Sequence, residues 1–184
     1  MTTTPLADPV TFRGGTTAAN RCWLAPLTNH AERTTTARSR TLERLWLERR
    51  AAGGFGLVET CAAHVSEDGK GFDGQLGVWG DHQLPGLRAL AAGLAARGAL
   101  GLVQLYHGGV RSPSRLIGQQ PWSASSFDEA REGFERPRPA TDADLERAIA
   151  TSSPRPLAPA RPASPASSCT ARTATCSRSS SAGP

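Results

Sequence analysis

The sequence predicts an α/β fold in which parallel strands are joined by crossover helices, and three observations carry that expectation. Residues 55–63 and 100–106 are short runs apolar on both faces, as strands inside a helix-covered sheet are. Segments with helical spacing of apolar residues follow them or lie between them, at 41–52, from 84 onward and at 141–150. The resulting order, strand then helix three times over, is that of consecutive βα units with crossover connections.

Residues 10–26 read as two extended runs around the turn signal Gly14-Gly15, the second run covering 21–25. Over 41–52, Leu42, Leu45 and Trp46 recur at i, i+3 and i+4 with Glu and Arg on the other face, and Gly53-Gly54 stops the helix. The run FGLVETCAA at 55–63 is too brief for a helix and reads as a buried strand. Asp81 can cap a second helix, in which Leu84, Leu87, Leu90, Ala91 and Leu94 share one face and after which Gly98 ends the segment. LGLVQLY at 100–106 is the next buried strand, and Thr141-x-x-Asp144 opens a third helix with Leu145, Ala148 and Ile149. Residues 107–140, rich in Gly, Pro, Ser and Arg, connect that strand to that helix. Loops of this length usually carry function, and in a barrel this one leaves the strand end where active sites lie.

The 184 residues suit one domain and fall short of the roughly 250 of a complete (β/α)8 barrel. No apolar run reaches the ~18 residues of a membrane span, and the opening MTTTPLADP has neither a basic nor an apolar signal region. A soluble cytoplasmic protein is the expectation. The net charge of +5 arises unevenly: residues 151–184 hold four Arg and no acid, whereas residues 1–150 balance 17 basic against 16 acidic groups. That tail of Ser, Ala, Pro, Thr and Arg cannot build a core and reads as disordered. It also lacks the interleaved aromatics of a nucleic-acid binder. The domain reading is therefore 1–150 as the folded part and 151–184 as a low-complexity tail.

Polar residues stand near the C-terminal ends of the three apolar runs: Thr28 after the first, Glu59-Thr60 in the second and Gln104 in the third. Two hydroxyls and an amide suit a planar heterocycle with alternating donor and acceptor edges. Singly, a strand-end Thr caps turns and a buried Gln is satisfied within a core; their coincidence on three successive strands is what points to a site. His107 reads as structural support, and His30, His64 and His82 as surface or loop residues without partners at metal-ligand spacing. Cys22 and Cys61 lie inside predicted strands as small hydrophobes, and Cys169 and Cys176, without a His pair, do not make a zinc site.

NRCWLAPLT at 20–28 resembles the first barrel strand of the Old Yellow Enzyme family of FMN-dependent NAD(P)H oxidoreductases. GGFGLVET at 53–60, with VSEDG at 65–69, is similar to that family's second strand and the loop after it. LGVWGD at 76–81 and VQLYHGG at 103–109 resemble the approach to helix two and the third strand. The resemblance runs from about residue 10 to residue 150 and implies the N-terminal part of a TIM (β/α)8 barrel, its first three βα units. It implies FMN as cofactor, NAD(P)H as reductant and an activated, enone-type alkene as substrate. Pro26, Leu27 and Thr28 would lie against the flavin, the backbone of the first two near the ring and the Thr28 hydroxyl on its O4 side, where a donor tunes the ring's potential. Thr60 would sit at the pyrimidine side, where a small residue lets the ring lie flat, and Gln104 would pair with the O2/N3 edge.

Past residue 150 the family's pattern, a strand of the form GFxGVELHGAHGYLL, gives way to the tail. The chain has 20 Arg and one Lys, Lys70, and abundant Ala, Gly and Pro, as GC-rich coding produces. Read one nucleotide out of register, the codons of residues 163–181 permit GFAGVELHGAHGYLLAQFL, the missing strand and loop. The expectation is a single-nucleotide deletion near codons 150 and 151. The His-x-x-His pair that holds the substrate carbonyl in the family then falls at Thr170 and Thr173. The family's proton-donating Tyr, a later-strand Arg and the phosphate-binding loops near strands seven and eight are also absent. No catalytic residue is therefore assigned in this chain. Two readings stay open: an FMN-dependent reductase by family, and a non-catalytic barrel fragment with an unpaired sheet edge and bare apolar helix faces. Sequencing the gene beyond codon 150 is expected to reveal a shifted frame encoding further barrel units; a gene with no such frame in any register refutes the deletion.

Overall fold

The computed structural model describes residues 5–28, 37–126 and 135–153. Thr151 and Ser152, expected in the disordered tail, instead close the last helix, which runs on past residue 150 because its backbone hydrogen bonds continue to Ser153. The expectations about residues 154–184, including Thr170, Thr173, Cys169 and Cys176, and about His30 lie outside the described residues. Strands β1 (Val10–Thr11) and β2 (Thr17–Ala18) form an antiparallel hairpin, with Val10 opposite Ala18. Gly15 turns it at φ +82°, a conformation that favours glycine. The extended run expected at 21–25 is reduced to β3 (Trp23–Leu24), and β2 is an additional strand before it. Asn20 explains the break: its Oδ1 accepts from the backbone N–H of Cys22 and of Gly56, and its Nδ2 donates to the Gly54 carbonyl. A Cβ at Gly56 would lie 2.7–2.8 Å from Asn20 side-chain and backbone atoms, so this close approach requires glycine.

Three strands make the central sheet, in the order β3, β4 (Leu57–His64), β5 (Leu100–Tyr106), all parallel. The middle strand β4 is buried along its whole length, as its unbroken apolar run predicts. Helices α1 (Ala37–Ala52) and α2 (Leu84–Ala95) cover one face. Between them and the sheet, Leu24, Leu47, Ala51, Val58, Leu94 and Ala99 form the core, with Trp46, Phe55 and Leu90 against it. Fully burying a side chain such as Leu47 or Leu94 is worth about 1.5–3 kcal/mol. A 3-10 turn at Asp81–Gln83 leads into α2, whose apolar face is the one its spacing predicts. Among the described residues no helix is long and apolar enough to cross a membrane.

Helix α1 departs from its expected orientation. Leu42 and Leu45 are 56% and 49% exposed, and the buried stripe is instead Glu43, Leu47 and Ala51, with Glu48 beside it. The two buried carboxylates have partners in other elements. Cys61 Sγ donates to Glu43 Oε1 at 3.0 Å, and Glu48 pairs with Arg97, at 3.0 Å, and with Arg44. Glu48 also reaches the backbone of α2 at Gly93, where a Cβ would collide with its carboxylate.

The connection after β5 is not a bare loop. It contains a 3-10 turn at Gly109–Arg111, the short α3 (Ser114–Ile117), and β6 (Trp122–Ser123) paired with β7 (Arg138–Pro139). It ends at α4 (Asp142–Ser152), capped as predicted: the Thr141 hydroxyl accepts from the Asp144 N–H at 3.3 Å, and Asp144 Oδ2 accepts from the Thr141 N–H at 2.9 Å.

A chain of charges fastens this segment to the sheet. Asp68, in the 3-10 turn Glu67–Gly69 after β4, accepts from Trp122 Nε1 at 3.1 Å and from Arg147 Nη2 at 3.0 Å, and its other oxygen lies 3.6 Å from His107 Nε2. Arg147 also donates to Asp144 at 2.6 Å, and Arg138 grips Asp144 with both terminal nitrogens. His107 foremost, with Ser66, Trp122 and Arg147, holds the Asp68 carboxyl far below the usual carboxylate range. Arg138 foremost, with Thr141 and Arg147, does the same for Asp144.

A carboxyl depressed in the folded state contributes stability that is present above its unfolded pKa of about 3.9 and lost as pH falls below it. The melting temperature is therefore expected to hold from neutrality to about pH 5 and to drop below about pH 4. Asp68→Asn and Asp144→Asn should lower stability at neutral pH and flatten that acid limb. Acid limbs indistinguishable from wild type would refute the assignment. Thr141→Ala, which removes the cap alone, should cost about 1 kcal/mol in urea unfolding.

Candidate functional site

The C-terminal end of the sheet is set by a β-bulge in β4. Register runs Glu59 opposite Leu102 and then Ala62 opposite Gln104, so Thr60 and Cys61 together face the single residue Val103. The extra residue changes which side chains the strand presents beyond it. Thr60 is 1% exposed; its hydroxyl donates to the Cys61 carbonyl at 2.9 Å and accepts from the Gln104 N–H at 3.3 Å. It serves the sheet, not the open end. Cys61, expected as an inert hydrophobe, is turned to the helix layer, where it meets Glu43.

Ala62 is the residue placed level with Gln104. Its carbonyl accepts from Gln75 Nε2 at 2.9 Å, and Gln75 Oε1 takes the Gly71 N–H at 2.6 Å, so a buried glutamine fixes the backbone there. Gln104 is half-buried, and its side-chain amide meets no partner among the described residues. Beyond β3 the chain carries half-buried Pro26 and exposed Leu27 and Thr28 out at this same end of the parallel sheet. The structure thus brings Pro26, Leu27, Thr28 and Gln104 to one end, and withholds Thr60 from it.

The titratable residues nearby are structural in their bonding. His64, expected in a loop or on the surface, is the buried last residue of β4. Its Nδ1 donates to the Ser66 carbonyl at 2.8 Å, and burial lowers its pKa, so it is a neutral ring. His107 accepts the Gly109 N–H at Nδ1, which leaves the proton on Nε2 facing Asp68, and its ring packs on Trp122 at 4.8 Å. This is the supporting role its sequence position suggests. Glu59, level with Leu102, has its pKa raised by burial and partly restored by a hydrogen bond with Trp23.

Sequence reasoning missed Ala62, Gln75 and Asp68. For Ala62 the available signal was its size: it is the first small residue after Thr60 on β4 to reach the Gln104 level. The partners of Asp68 lie 39, 54 and 79 residues away, a relation no local pattern displays.

Residues 5–150 match the NADH:flavin oxidoreductase / NADH oxidase family. The chain is 35% identical over 145 residues to the probable NADH-dependent flavin oxidoreductase YqiG of Bacillus subtilis, covering 79% of this chain and 38% of that protein. It is 31% identical over 148 residues to an NADPH dehydrogenase of Geobacillus thermodenitrificans, covering 42% of it. Among solved structures, the old yellow enzyme homologue from Zymomonas mobilis superposes with a TM-score of 0.64 at 27% identity, over 80% of this chain and 42% of that one. The chain thus spans about two-fifths of the length of these relatives. With its three parallel strands and this match, the chain belongs to the NADH:flavin oxidoreductase / NADH oxidase family, and its sheet is part of that family's TIM barrel.

Proposed function

We propose that this end of the sheet contributes part of a flavin site, and that the whole protein is an FMN-dependent oxidoreductase that moves hydride from NAD(P)H to an activated alkene of the enone type. The pairing of Ala62 with Gln104 supports this reading most. A residue with no side chain beyond Cβ lies level with a half-buried amide free among the described residues, which suits a flat ring with a donor–acceptor edge. In this reading Gln104 offers its carbonyl and N–H groups to the O2/N3 edge. Thr28 presents a hydroxyl toward the O4 side, and the backbone of Pro26 and Leu27 borders the ring. Ala62 takes the place that the resemblance implied for Thr60, because the Thr60 hydroxyl is already spent within the sheet.

FMN, when bound, supplies the hydride-carrying centre. The residues of this chain bind and orient the ring, and none of them is assigned a proton-transfer role. The substrate and reductant are small molecules, and the setting is the cytoplasm. A second reading, a non-catalytic barrel fragment, is favoured by one observation: Leu42 and Leu45 on α1 and Leu145 and Ile149 on α4 stand exposed.

Titrating the purified chain with FMN and following flavin absorbance separates the two. Stoichiometric uptake is expected, weakened about tenfold by Gln104→Ala, which removes hydrogen bonds worth about 1–1.5 kcal/mol. Ala62→Leu should abolish uptake, and Thr60→Ser should leave it unchanged. A folded chain that stays colourless supports the fragment reading, and unimpaired binding by Ala62→Leu refutes the ring's placement.

A further inference from the structure

Past Leu24 the sheet parts, and a side chain stands where a strand would be. Strand β3 pairs with β4 at Leu57 and Val58, and among the described residues the pairing goes no further. Pro26 has no N–H with which to extend that ladder. At the far end of β4 the same edge has a different neighbour. The His64 N–H donates to the Leu76 carbonyl at 2.8 Å, and the His64 carbonyl accepts from the Val78 N–H at 2.9 Å. That edge is the one turned away from β5, because successive peptide groups point to opposite sides and the next residue, Val65, donates to Tyr106 of β5. Between the two neighbours lies Ala62, whose carbonyl accepts from Nε2 of the buried Gln75. Gln75 Oε1 takes the Gly71 N–H, and the Gln75 N–H closes the turn on the Phe72 carbonyl at 3.3 Å.

We infer that Gln75 is a positioning residue for the flavin: its side-chain amide replaces a neighbouring strand at Ala62, so that β4 stays fixed while residues 26–28 swing clear. The inference rests on the flavin reading, in which Ala62 is the floor of the ring and Pro26 and Leu27 border it. A strand continuing along this edge would fill the gap between Ala62 and residues 26–28 with main chain. One amide satisfies the same carbonyl and leaves that gap open. Only a group with both a donor and an acceptor can do this here, since it must give a proton to Ala62 and take one from Gly71. Without it, a buried carbonyl and a backbone N–H lose their partners, and the strand shifts to find others. Both bonds of Gln75 go to backbone, so it acts through Ala62 and has no assigned contact with the ring.

Amide exchange of the flavin-free chain and titration of the full chain with FMN, read by flavin absorbance, test this role. Gln75→Leu keeps the volume and removes both bonds. Its Gly71 amide should exchange faster than in wild type. Its FMN affinity should fall about tenfold, because backbone set loose at Ala62 has to be ordered again when the ring binds. Gln75→Glu supplies the acceptor alone at about pH 8, whereas burial raises its carboxyl so that by about pH 5.5 it donates to Ala62 again. Its affinity relative to wild type should therefore recover on acidification, which general destabilisation does not produce. Thr141→Ala, which loosens only the α4 cap, should leave uptake unchanged. Circular dichroism verifies that the variants fold, and if Gln75→Leu does not, Gln75→Glu at the two pH values decides. Gly71 exchange unmoved by Gln75→Leu overturns the inference whether or not flavin binds. Wild-type uptake matched by folded Gln75→Leu, or a Gln75→Glu ratio unmoved by pH, overturns it and leaves the flavin reading standing. A wild-type chain that takes up no FMN overturns both.

Discussion

The Asp68 carboxylate sits in a buried turn after β4 and receives the Trp122 indole and the Arg147 guanidinium, with the His107 ring beside it. Removing a carboxylate from water is costly, and only charge-assisted hydrogen bonds from several donors make the arrangement favourable. Each donor comes from a different stretch: the end of β5, the β6 strand and α4. One group therefore fixes where the long connection after β5 lies, and the same connection leaves the end of the sheet at which Gln104 stands. Without Asp68, Arg147 would retain only Asp144, and α4 would lose its tie to the sheet.

The bulge at Thr60-Cys61 imposes a second constraint on the same region. Side chains alternate along a strand, so one extra residue reverses which of them face a given side afterwards. In β4 this turns Cys61 toward Glu43 and leaves Ala62 level with Gln104. The Gln75 bridge to the Ala62 carbonyl then holds the backbone in the shifted phase. In the proposed flavin reading, a strand with a small residue beside an amide free among the described residues would serve as floor and edge for a planar ligand, because little side-chain freedom is lost on binding.

Legibility from the sequence follows the range of the interactions. Strand β5 and the Thr141 cap of α4 are read correctly because their signals lie within a few neighbouring residues. The face of α1 is misread because Glu43 and Glu48 look like solvent residues, whereas their partners Cys61 and Arg97 belong to other elements. The surroundings of Thr60 are illegible for a related reason: a bulge has no composition of its own here, and it sets Ala62 level with Gln104 while the Thr60 hydroxyl bonds within the sheet. His64 lies in the same shifted stretch, and the loop expected to hold it instead continues β4, with its N–H bonded to the Leu76 carbonyl.

The two helix flanks show how differently parts of one barrel segment are held. Helix α1 is seated by Leu47 and Ala51 in the core, and its exposed leucines are surplus to that packing. Helix α4 buries Asp144 while Leu145 and Ile149 remain outside, so its apolar face has no counterpart among the described residues. Hydrophobic contacts have no charge to titrate or screen, whereas ion pairs at the surface weaken with salt and carboxylates fail in acid. The sheet with α1 and α2 therefore forms the durable unit. The α4 flank is the conditional one: its position is set by charge until an apolar surface covers Leu145 and Ile149.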